Sequence, residues 1–272
     1  TAVINGVQLI DDNFSSGLLS LYDLQRDTVT YLDKYAIGYR TFALQTFLLD
    51  TNNFKTFGVY LKDSSVNQRR ISSYLRIKKN GNISILDYSC SGFISYGGCD
   101  LVFKNAVPMG AQIIFACQTQ AYESRNIQDG LIIKVDSMGK EQWRLAIEND
   151  STTCHNLLIA PLANGNFLAT WQDYYYKPFK SPTNNRYPES NKNTTIWCAE
   201  FSTEGQIIRT WNLQEALRYK GTPPEIAFHN HLIVSEDSNI IIVGNTRDYG
   251  TNGYDLGYAL KLDKFGEYQW LR

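Results

Sequence analysis

Three histidines are the residues of this chain with the clearest potential for chemistry. His155 and His229 each precede an asparagine at the start of an apolar segment, and His231 follows two residues later. Imidazoles transfer protons near neutral pH and bind transition metals. Because no third ligand accompanies them, we predict no metal site. The simpler interpretation is that the His-Asn pairs make hydrogen bonds that fix the ends of strands.

Aromatic residues form the second candidate site. Tyr122, Tyr174 and Tyr249 fall at one aligned place after three apolar segments, and a long insertion runs from Gln172 to Asn193. Aromatic rings at one rim can stack on sugars or extended peptides, and long loops on rigid scaffolds often carry function. The predicted ligand contacts are Tyr122, Trp171, Tyr174, Tyr175, Tyr176, Tyr187 and Tyr249. Alternatively, each tyrosine packs on a neighbouring repeat and the insertion is passive.

Other catalytic patterns are absent from the sequence. There is no Gly-x-Ser-x-Gly elbow, no phosphate-binding Gly-x-x-x-x-Gly-Lys-Ser/Thr and no His-Glu-x-x-His. We therefore predict no catalytic residue. The net charge of −1, with basic residues spread along the chain, gives no electrostatic reason for nucleic-acid binding. No apolar run is long enough to span a bilayer, so we expect no membrane insertion.

A repeated block must position these residues. The segment from Gly130 to Arg144 returns as the segment from Gly257 to Trp270, with Gly, Lys, Asp, Gly, Gln and Trp at matching offsets. Two weaker copies follow Tyr74 and Trp197, and the four turn glycines lie about 60 residues apart. The predicted structural positions are Gly81, Asp136, Gly139, Trp143, Gly205, Trp211, Asp263, Gly266 and Trp270. Asp136 and Asp263 are expected to bond backbone N–H groups in the turns, and the tryptophans to fill space between sheets.

Each copy predicts two strands joined by a tight turn, because aliphatic residues alternate with polar ones before the glycine. A second hairpin precedes each copy, starting near Thr41, Leu101, His155 and His229, with one of its turns at Pro108–Gly110. Four strands per repeat predict the blades of a β-propeller. The fold class is therefore all-β, with four clear blades. Residues 1–35, which contain a decayed hairpin, are expected to supply part of a fifth blade or to close the ring.

The motif Lys-x-Asp-x-x-Gly-x-x-x-Trp resembles the blade repeats of a family of secreted bacterial propellers, over roughly residues 36 to 272. The family has no single activity, so the resemblance implies a propeller and an extracytoplasmic setting, secreted or at the cell surface. The Gly-x-x-x-Trp pattern is also similar to that of quinone-cofactor propellers. Their Thr-Gly step is missing from this sequence, so we expect no cofactor.

The chain is interpreted as one propeller domain over residues 1–272, and a fragment of a longer polypeptide is an alternative, because the chain starts at Thr1 and stops within a repeat. Cys90 and Cys99 flank a glycine-containing loop that a disulfide could clip, whereas the simpler interpretation makes all five cysteines small buried hydrophobic residues.

Two hypotheses of function follow from these patterns. The first is a secreted or surface-exposed module that binds a protein or polysaccharide, or builds an assembly with another chain or with the remainder of a longer polypeptide, without catalysis. The second is an extracytoplasmic hydrolase or lyase, with His155 and His229 at the mouth of the propeller channel as its active centre. The first is the main prediction, and the second is the alternative.

Overall fold

The structure, a computed structural model, describes residues 2–11, 14–23, 28–35, 40–50, 53–61, 70–78, 83–88, 99–109, 112–121, 129–147, 152–175, 195–213, 227–247 and 255–272. Side chains are described within residues 103–109, 112–119, 129–147, 154–173, 195–213, 229–245 and 257–272. Within these ranges no helix could cross a membrane.

Every regular element in the described residues is a β-strand. The strands are β1 (Ala2–Asp11), β2 (Phe14–Asp23), β3 (Thr28–Tyr35), β4 (Arg40–Asp50), β5 (Asn53–Leu61), β6 (Arg70–Lys78), β7 (Ile83–Tyr88), β8 (Cys99–Met109), β9 (Gln112–Ala121), β10 (Gly130–Val135), β11 (Glu141–Ile147), β12 (Thr152–Pro161), β13 (Phe167–Tyr175), β14 (Thr195–Phe201), β15 (Ile207–Asn212), β16 (Ala227–Val234), β17 (Ile240–Arg247), β18 (Asp255–Leu262) and β19 (Tyr268–Leu271).

The strands form successive antiparallel blades, which confirms the predicted propeller. The first blade is β4–β7, the second β8–β11, the third β12–β15 and the fourth β16–β19, and each pairs its strands in chain order. The first strand of the third blade contacts the first strands of the second and fourth blades. The innermost strands are therefore neighbours, and the sheets radiate outward from them.

The N-terminal residues depart from the repeat. β2 pairs antiparallel with both β1 and β3, and it joins the first blade through one parallel pair, Ser15 with Arg40. The first blade thus belongs to a seven-stranded sheet. The inner edge of β4 carries backbone groups free to pair, and β2 uses that edge. The hairpin expected near residues 18–31 is present, as β2 and β3. Its role as a closing segment stays a prediction.

The turns between the third and fourth strands form as predicted. The Asp136 Oδ1 atom accepts hydrogen bonds from the backbone N–H groups of Met138, at 2.8 Å, and Lys140, at 2.9 Å. Asp263 repeats this arrangement with Phe265 and Glu267 at 2.8 and 2.9 Å. The glycine that ends each turn has a positive φ, as at Gly139, where φ is 84°. Gly81 lies outside the described residues.

The blades are held together by apolar faces. One cluster joins the second and third blades and contains Ile114, Phe167 and Phe201, whose two phenylalanine rings stack at 5.2 Å. A second cluster, including Leu168, Ile240 and Leu262, joins the third and fourth blades. Trp143 and Trp211 pack against these clusters from the outer strands. These two tryptophans therefore lie between sheets, as expected from their size.

One predicted turn is wrong in position. Strand β8 continues through Pro108, which pairs with Ile113, and ends at Met109. The reversal therefore lies between Met109 and Gln112 rather than at Pro108–Gly110. β8 is an edge strand of its sheet, and a proline is tolerated there because no second neighbour needs its missing N–H group.

Candidate functional site

The starts and ends of the inner strands of the third and fourth blades meet at one rim of the propeller. In the third blade, Cys154 near the start of β12 pairs with Asp173 near the end of β13, and Asp173 pairs with Thr195 at the start of β14. In the fourth blade, His229 pairs with Gly244, which pairs with Tyr258. Because antiparallel strands alternate in direction, strand starts and ends meet at this rim.

A carboxyl group flanked by two indoles is the most distinctive feature of the rim. Trp171 and Asp173 lie two residues apart on β13, so their side chains emerge from the same face of the sheet. Trp197 pairs directly with Trp171 across the strands, and the two rings stack with centroids 6.5 Å apart and planes inclined by 19°. The pair forms a flat aromatic surface beside the carboxyl group.

The electrostatics of Asp173 suit proton donation. Burial raises the pKa of this carboxyl group to about 6, and hydrogen bonds from the indoles of Trp171 and Trp197 only partly offset the rise. An ordinary aspartate is ionised well below this pH. Asp173 therefore holds its proton under mildly acidic conditions, where a general acid must be protonated to act.

A second carboxyl group approaches from the neighbouring blade. The Asp129 N–H group donates to the Thr119 Oγ1 atom at 3.0 Å, which anchors Asp129 just before strand β10. The next residue, Gly130, lies so close to the third blade that an added Cβ atom would be 2.8 Å from the Cys154 Sγ atom. Burial raises the pKa of Cys154, and the charges of Asp173 and Asp129 raise it further. Both carboxyl groups therefore lie within electrostatic range of one buried thiol.

His155 lies within electrostatic range of a lysine, Lys104. Burial lowers the pKa of His155 to about 4, and the positive charge of Lys104 lowers it further. Burial also lowers the pKa of Lys104. Lys104 lies where the pairing of β8 shifts between Phe103 and Asn105, and such bulges re-aim side chains. His155 is thus neutral at physiological pH.

The repeated His-Asn pairs make equivalent contacts. The Asn156 Nδ2 atom donates to the Gln172 Oε1 atom at 3.3 Å, and the Asn230 Nδ2 atom donates to the Asn245 Oδ1 atom at 3.0 Å. Each asparagine thus ties the first strand of its blade to the second. Asn156 has a positive φ of 51°, which asparagine tolerates better than most residues.

The other two histidines have contrasting positions. His229 is 0% exposed. Burial lowers its pKa to about 4, while the backbones of Asn156 and Thr170 in the third blade act in the opposite direction. It therefore lies between the third and fourth blades, closed to solvent. His231 is exposed. Among the described residues no three His, Cys, Asp or Glu side chains form a metal-binding group.

Several predicted contacts cannot be placed. Tyr122, Tyr176, Tyr187, Tyr249 and Cys90 lie outside the described residues, and Tyr174, Tyr175 and Cys99 lie in strands whose side chains at those positions are not described. Cys117, Cys154 and Cys198 are buried free thiols. Four residues of this rim were not predicted as site residues from the sequence: Asp129, Asp173, Trp197 and Lys104. For Asp173, the available sequence signal was a carboxylate directly before a tyrosine, at Asp173-Tyr174 and again at Asp248-Tyr249.

Comparison with known proteins gives only distant likenesses. No family model matches the chain, and no curated protein matches it. A Synechocystis apocarotenoid oxygenase mutant shares 11% identity and a TM-score of 0.48, with 98% of this chain and 57% of that chain covered. A Fusarium graminearum α-L-arabinofuranosidase shares 9% identity and a TM-score of 0.39, covering 92% and 85%. A B. megaterium levansucrase mutant shares 8% identity and a TM-score of 0.43, covering 93% and 76%.

These comparisons correct the main hypothesis of function. A binding or structural module without catalysis is contradicted, because the similar solved structures are enzymes, and the alternative of a hydrolase or lyase is better supported. The chain spans 57% of the length of the oxygenase, so the activity of that whole protein is not transferred to it. At these identities a likeness concerns architecture alone, and the reaction must be argued from the site itself.

Proposed function

We propose that this propeller is a glycoside hydrolase whose general acid is Asp173. The observation that carries the proposal is the position of this carboxyl group, partly buried at a strand end beside the stacked rings of Trp171 and Trp197. Cleavage of a glycosidic bond needs a carboxylic acid that protonates the leaving oxygen. It also needs a surface that holds a sugar ring, and indole faces provide one.

Asp129 is the candidate for the second carboxylate. Glycoside hydrolysis uses a carboxylic acid together with a carboxylate that acts as a nucleophile or activates water. The pKa of Asp173 is raised to about 6, which suits this residue to the role of the acid and leaves the role of the carboxylate to Asp129. The two residues come from adjacent blades, so the packing of the blades sets their spacing.

His155 has a supporting role in this proposal. Its pKa of about 4 leaves the imidazole neutral at physiological pH, where it offers one hydrogen-bond donor and one acceptor. Lys104 beside it brings a positive charge to the same rim. A neutral imidazole and a cation favour polar, uncharged or anionic sugars over cationic ligands. Secretion, membership of the secreted propeller family and a polysaccharide partner stay predictions alongside this one.

The test is hydrolysis by the Asp173→Asn variant. The chain is assayed against a panel of chromogenic glycosides and plant and bacterial polysaccharides, with release of reducing sugar as the readout. Loss of the acid should lower kcat by about a hundredfold or more. In the unmodified chain kcat/KM should fall as the pH rises through about 6, because Asp173 loses its proton there. Asp237→Asn, an exposed carboxyl group in the turn between β16 and β17, is the matched control.

Two results would contradict the proposal. One is an Asp173→Asn variant that hydrolyses the substrate as fast as the unmodified chain. The other is a folded, unmodified chain that releases no sugar from any member of the panel. Trp197→Phe separates binding from chemistry, since a smaller ring weakens stacking and should raise KM more than it lowers kcat.

A further inference from the structure

A specific contact joins the second blade to the third. The Lys134 Nζ atom donates to the Thr203 carbonyl oxygen at 2.8 Å, and the Trp143 Nε1 atom donates to the same oxygen at 3.1 Å. The Trp143 ring covers the turn glycine, since an added Cβ atom on Gly205 would be 3.3 Å from it. A cation and an indole on one blade therefore hold the turn of the next blade.

The same contact joins the third blade to the fourth with different residues. Arg209 donates to the carbonyl oxygens of Lys264, at 2.7 Å, and Phe265, at 3.1 Å. The Trp211 indole lies over Gly266, where an added Cβ atom would be 2.6 Å from the Nε1 atom. Blade-to-blade recognition in this chain is thus a repeated, directional contact.

The fourth blade carries the donor side of this contact with no described partner. Strand register makes Lys261, paired with Trp270, the equivalent of Lys134, paired with Trp143. We call this surface the outward face, and its residues are Ile233, Ile241, Val243, Ala259, Lys261 and Trp270, the register equivalents of Val107, Ile114, Ala116, Ile132, Lys134 and Trp143.

The side chains of the outward face are more exposed to solvent than their register equivalents on the second blade. Val107 is 3% exposed and Ile114 is 0% exposed beneath the third blade, whereas Ile233 is 52% exposed on the outward face. Lys134 is 4% exposed, whereas Lys261 is partly exposed. Ile241 and Val243 are partly buried. Positions that form an interblade core elsewhere are therefore at least partly exposed here, which marks an interaction surface.

We propose that the outward face docks the first blade of a second copy of this chain. The occupant must offer an apolar pair followed by a turn glycine, as Phe167 and Phe201 precede Gly205 in the third blade. In the first blade, Phe54 pairs with Ile77 at the equivalent register position, and Gly81 follows four residues later. The proposal is independent of the hydrolase assignment.

The second copy, rather than the same copy, is favoured by the arrangement of the blades. Among the described strands, those of the fourth blade make no extensive contact with the first blade of the kind that they make with the third blade. The contact is head to tail, so two copies that meet at both ends close a ring, and copies that meet at one end extend a chain. In the sequence, Lys79 follows Ile77 by two residues, just as Thr203, the residue that Lys134 contacts, follows Phe201. Lys261 of one copy is therefore expected beside Lys79 of the other.

The first experiment measures the mass of the 272-residue chain by sedimentation over a range of concentrations. We expect self-association that strengthens with concentration. Trp270→Ala should raise the dissociation constant by about thirtyfold, the effect of removing a central aromatic anchor. Ile233→Asp should weaken association in the same direction, and because Ile233 is 52% exposed its replacement leaves the fold intact. Ile207→Asp, at an isoleucine that is 60% exposed on the third blade, is the matched control and should associate normally.

A second experiment identifies the occupant. Unlabelled and ¹⁵N-labelled chains are mixed, treated with a lysine-reactive cross-linker and digested, and peptides of mixed label are analysed by mass spectrometry. A mixed-label link between Lys261 and Lys79 supports docking between copies. A chain that stays monomeric at every concentration overturns the proposal. So does self-association that Ile233→Asp and Trp270→Ala leave unchanged, or a mixed-label link from Lys261 to some other part of the chain.

Discussion

Replacing three turn glycines by alanine should destabilise the chain by three different amounts. Gly165, Gly205 and Gly266 have φ values of 85°, 77° and 90°, so an alanine at each pays the cost of left-handed backbone, about 1 kcal/mol or somewhat more. Their surroundings differ. An added Cβ atom meets nothing within 4 Å at Gly165, a Trp143 carbon at 3.3 Å at Gly205, and the Trp211 Nε1 atom at 2.6 Å at Gly266.

The expected order follows from these distances. Gly165→Ala should cost about 1 kcal/mol, because only the backbone resists. At Gly205 the indole must yield by a few tenths of an ångström, which raises the cost to about 1–2 kcal/mol. At Gly266 no real Cβ atom fits so close, so Trp211 must be displaced, and overpacking of this kind adds about 1–3 kcal/mol to the backbone cost.

Urea unfolding followed by circular dichroism gives the free energy of unfolding of each of the three variants. An unchanged dependence of this free energy on urea concentration indicates that the native and unfolded states stay comparable between variants. Trp211→Leu provides the internal control. In that background the obstacle at Gly266 is gone, and Gly266→Ala should cost no more than Gly165→Ala. Equal losses at all three glycines, or additivity of Trp211→Leu and Gly266→Ala, would refute the claim that tryptophans cover the turns of adjacent blades.

Two further predictions concern buried charge. The free energy of unfolding should fall as the pH is lowered from 6.5 towards 4. Over this range His229 takes up a proton in the unfolded chain but stays neutral in the folded chain, where its pKa is about 4. His229→Phe should reduce this pH dependence, which urea titrations at several pH values would measure. Lys134→Met should cost about 1–2 kcal/mol in the same assay through the lost bond to Thr203, whereas Lys261→Met at high dilution should cost less than about 0.5 kcal/mol.

The fold was predictable because its determinants are local. Alternating apolar residues define each strand, and Asp136 organises its turn through the N–H groups of residues only two and four positions later. Trp143 could be assigned to a space between sheets from its size alone. The pairing of the N-terminal strands was not predicted, because it depends on a non-local partner. β2 joins β4 in parallel through one residue pair, and nothing in the sequence near Ser15 or Arg40 signals that pairing.

The candidate site was less predictable for the same reason. Asp173 and Trp171 are neighbours in sequence, but Trp197 reaches them only through strand pairing. Asp129 comes near the third blade only because Gly130, which has no side chain, lets the second and third blades pack closely. The histidines were singled out by residue type. Burial changes the properties of two of them, since it lowers the pKa of His155 and of His229 to about 4 and leaves both imidazoles neutral. A site that forms where two blades meet cannot be predicted from the spacing of residues within one repeat.

The third blade shows why its repeat is degenerate in sequence but intact in structure. Strand register places Glu200 where the second blade has Lys134, and Arg209 where it has Trp143. The positively charged residue is thus on the fourth strand in the third blade, whereas it is on the third strand in the second blade. The Arg209 guanidinium still donates to carbonyl oxygens in the turn of the fourth blade. Glu200 binds Arg209 at 2.8 Å.

Burial opposes the ionised form of Glu200, but hydrogen bonds from Asn166, Asn164 and Arg209 outweigh it and hold the pKa of this carboxyl group below its ordinary value. The exchange therefore adds an anion that orients the displaced cation. What the repeat preserves is a positive group and an indole on one blade, facing carbonyl oxygens and a positive-φ glycine on the next. A search for further blades by residue identity would reject the third blade, whereas a search for this donor and acceptor pattern would keep it. In the sequence of the first blade, Arg76 precedes Gly81 by five residues, the spacing of Lys134 from Gly139.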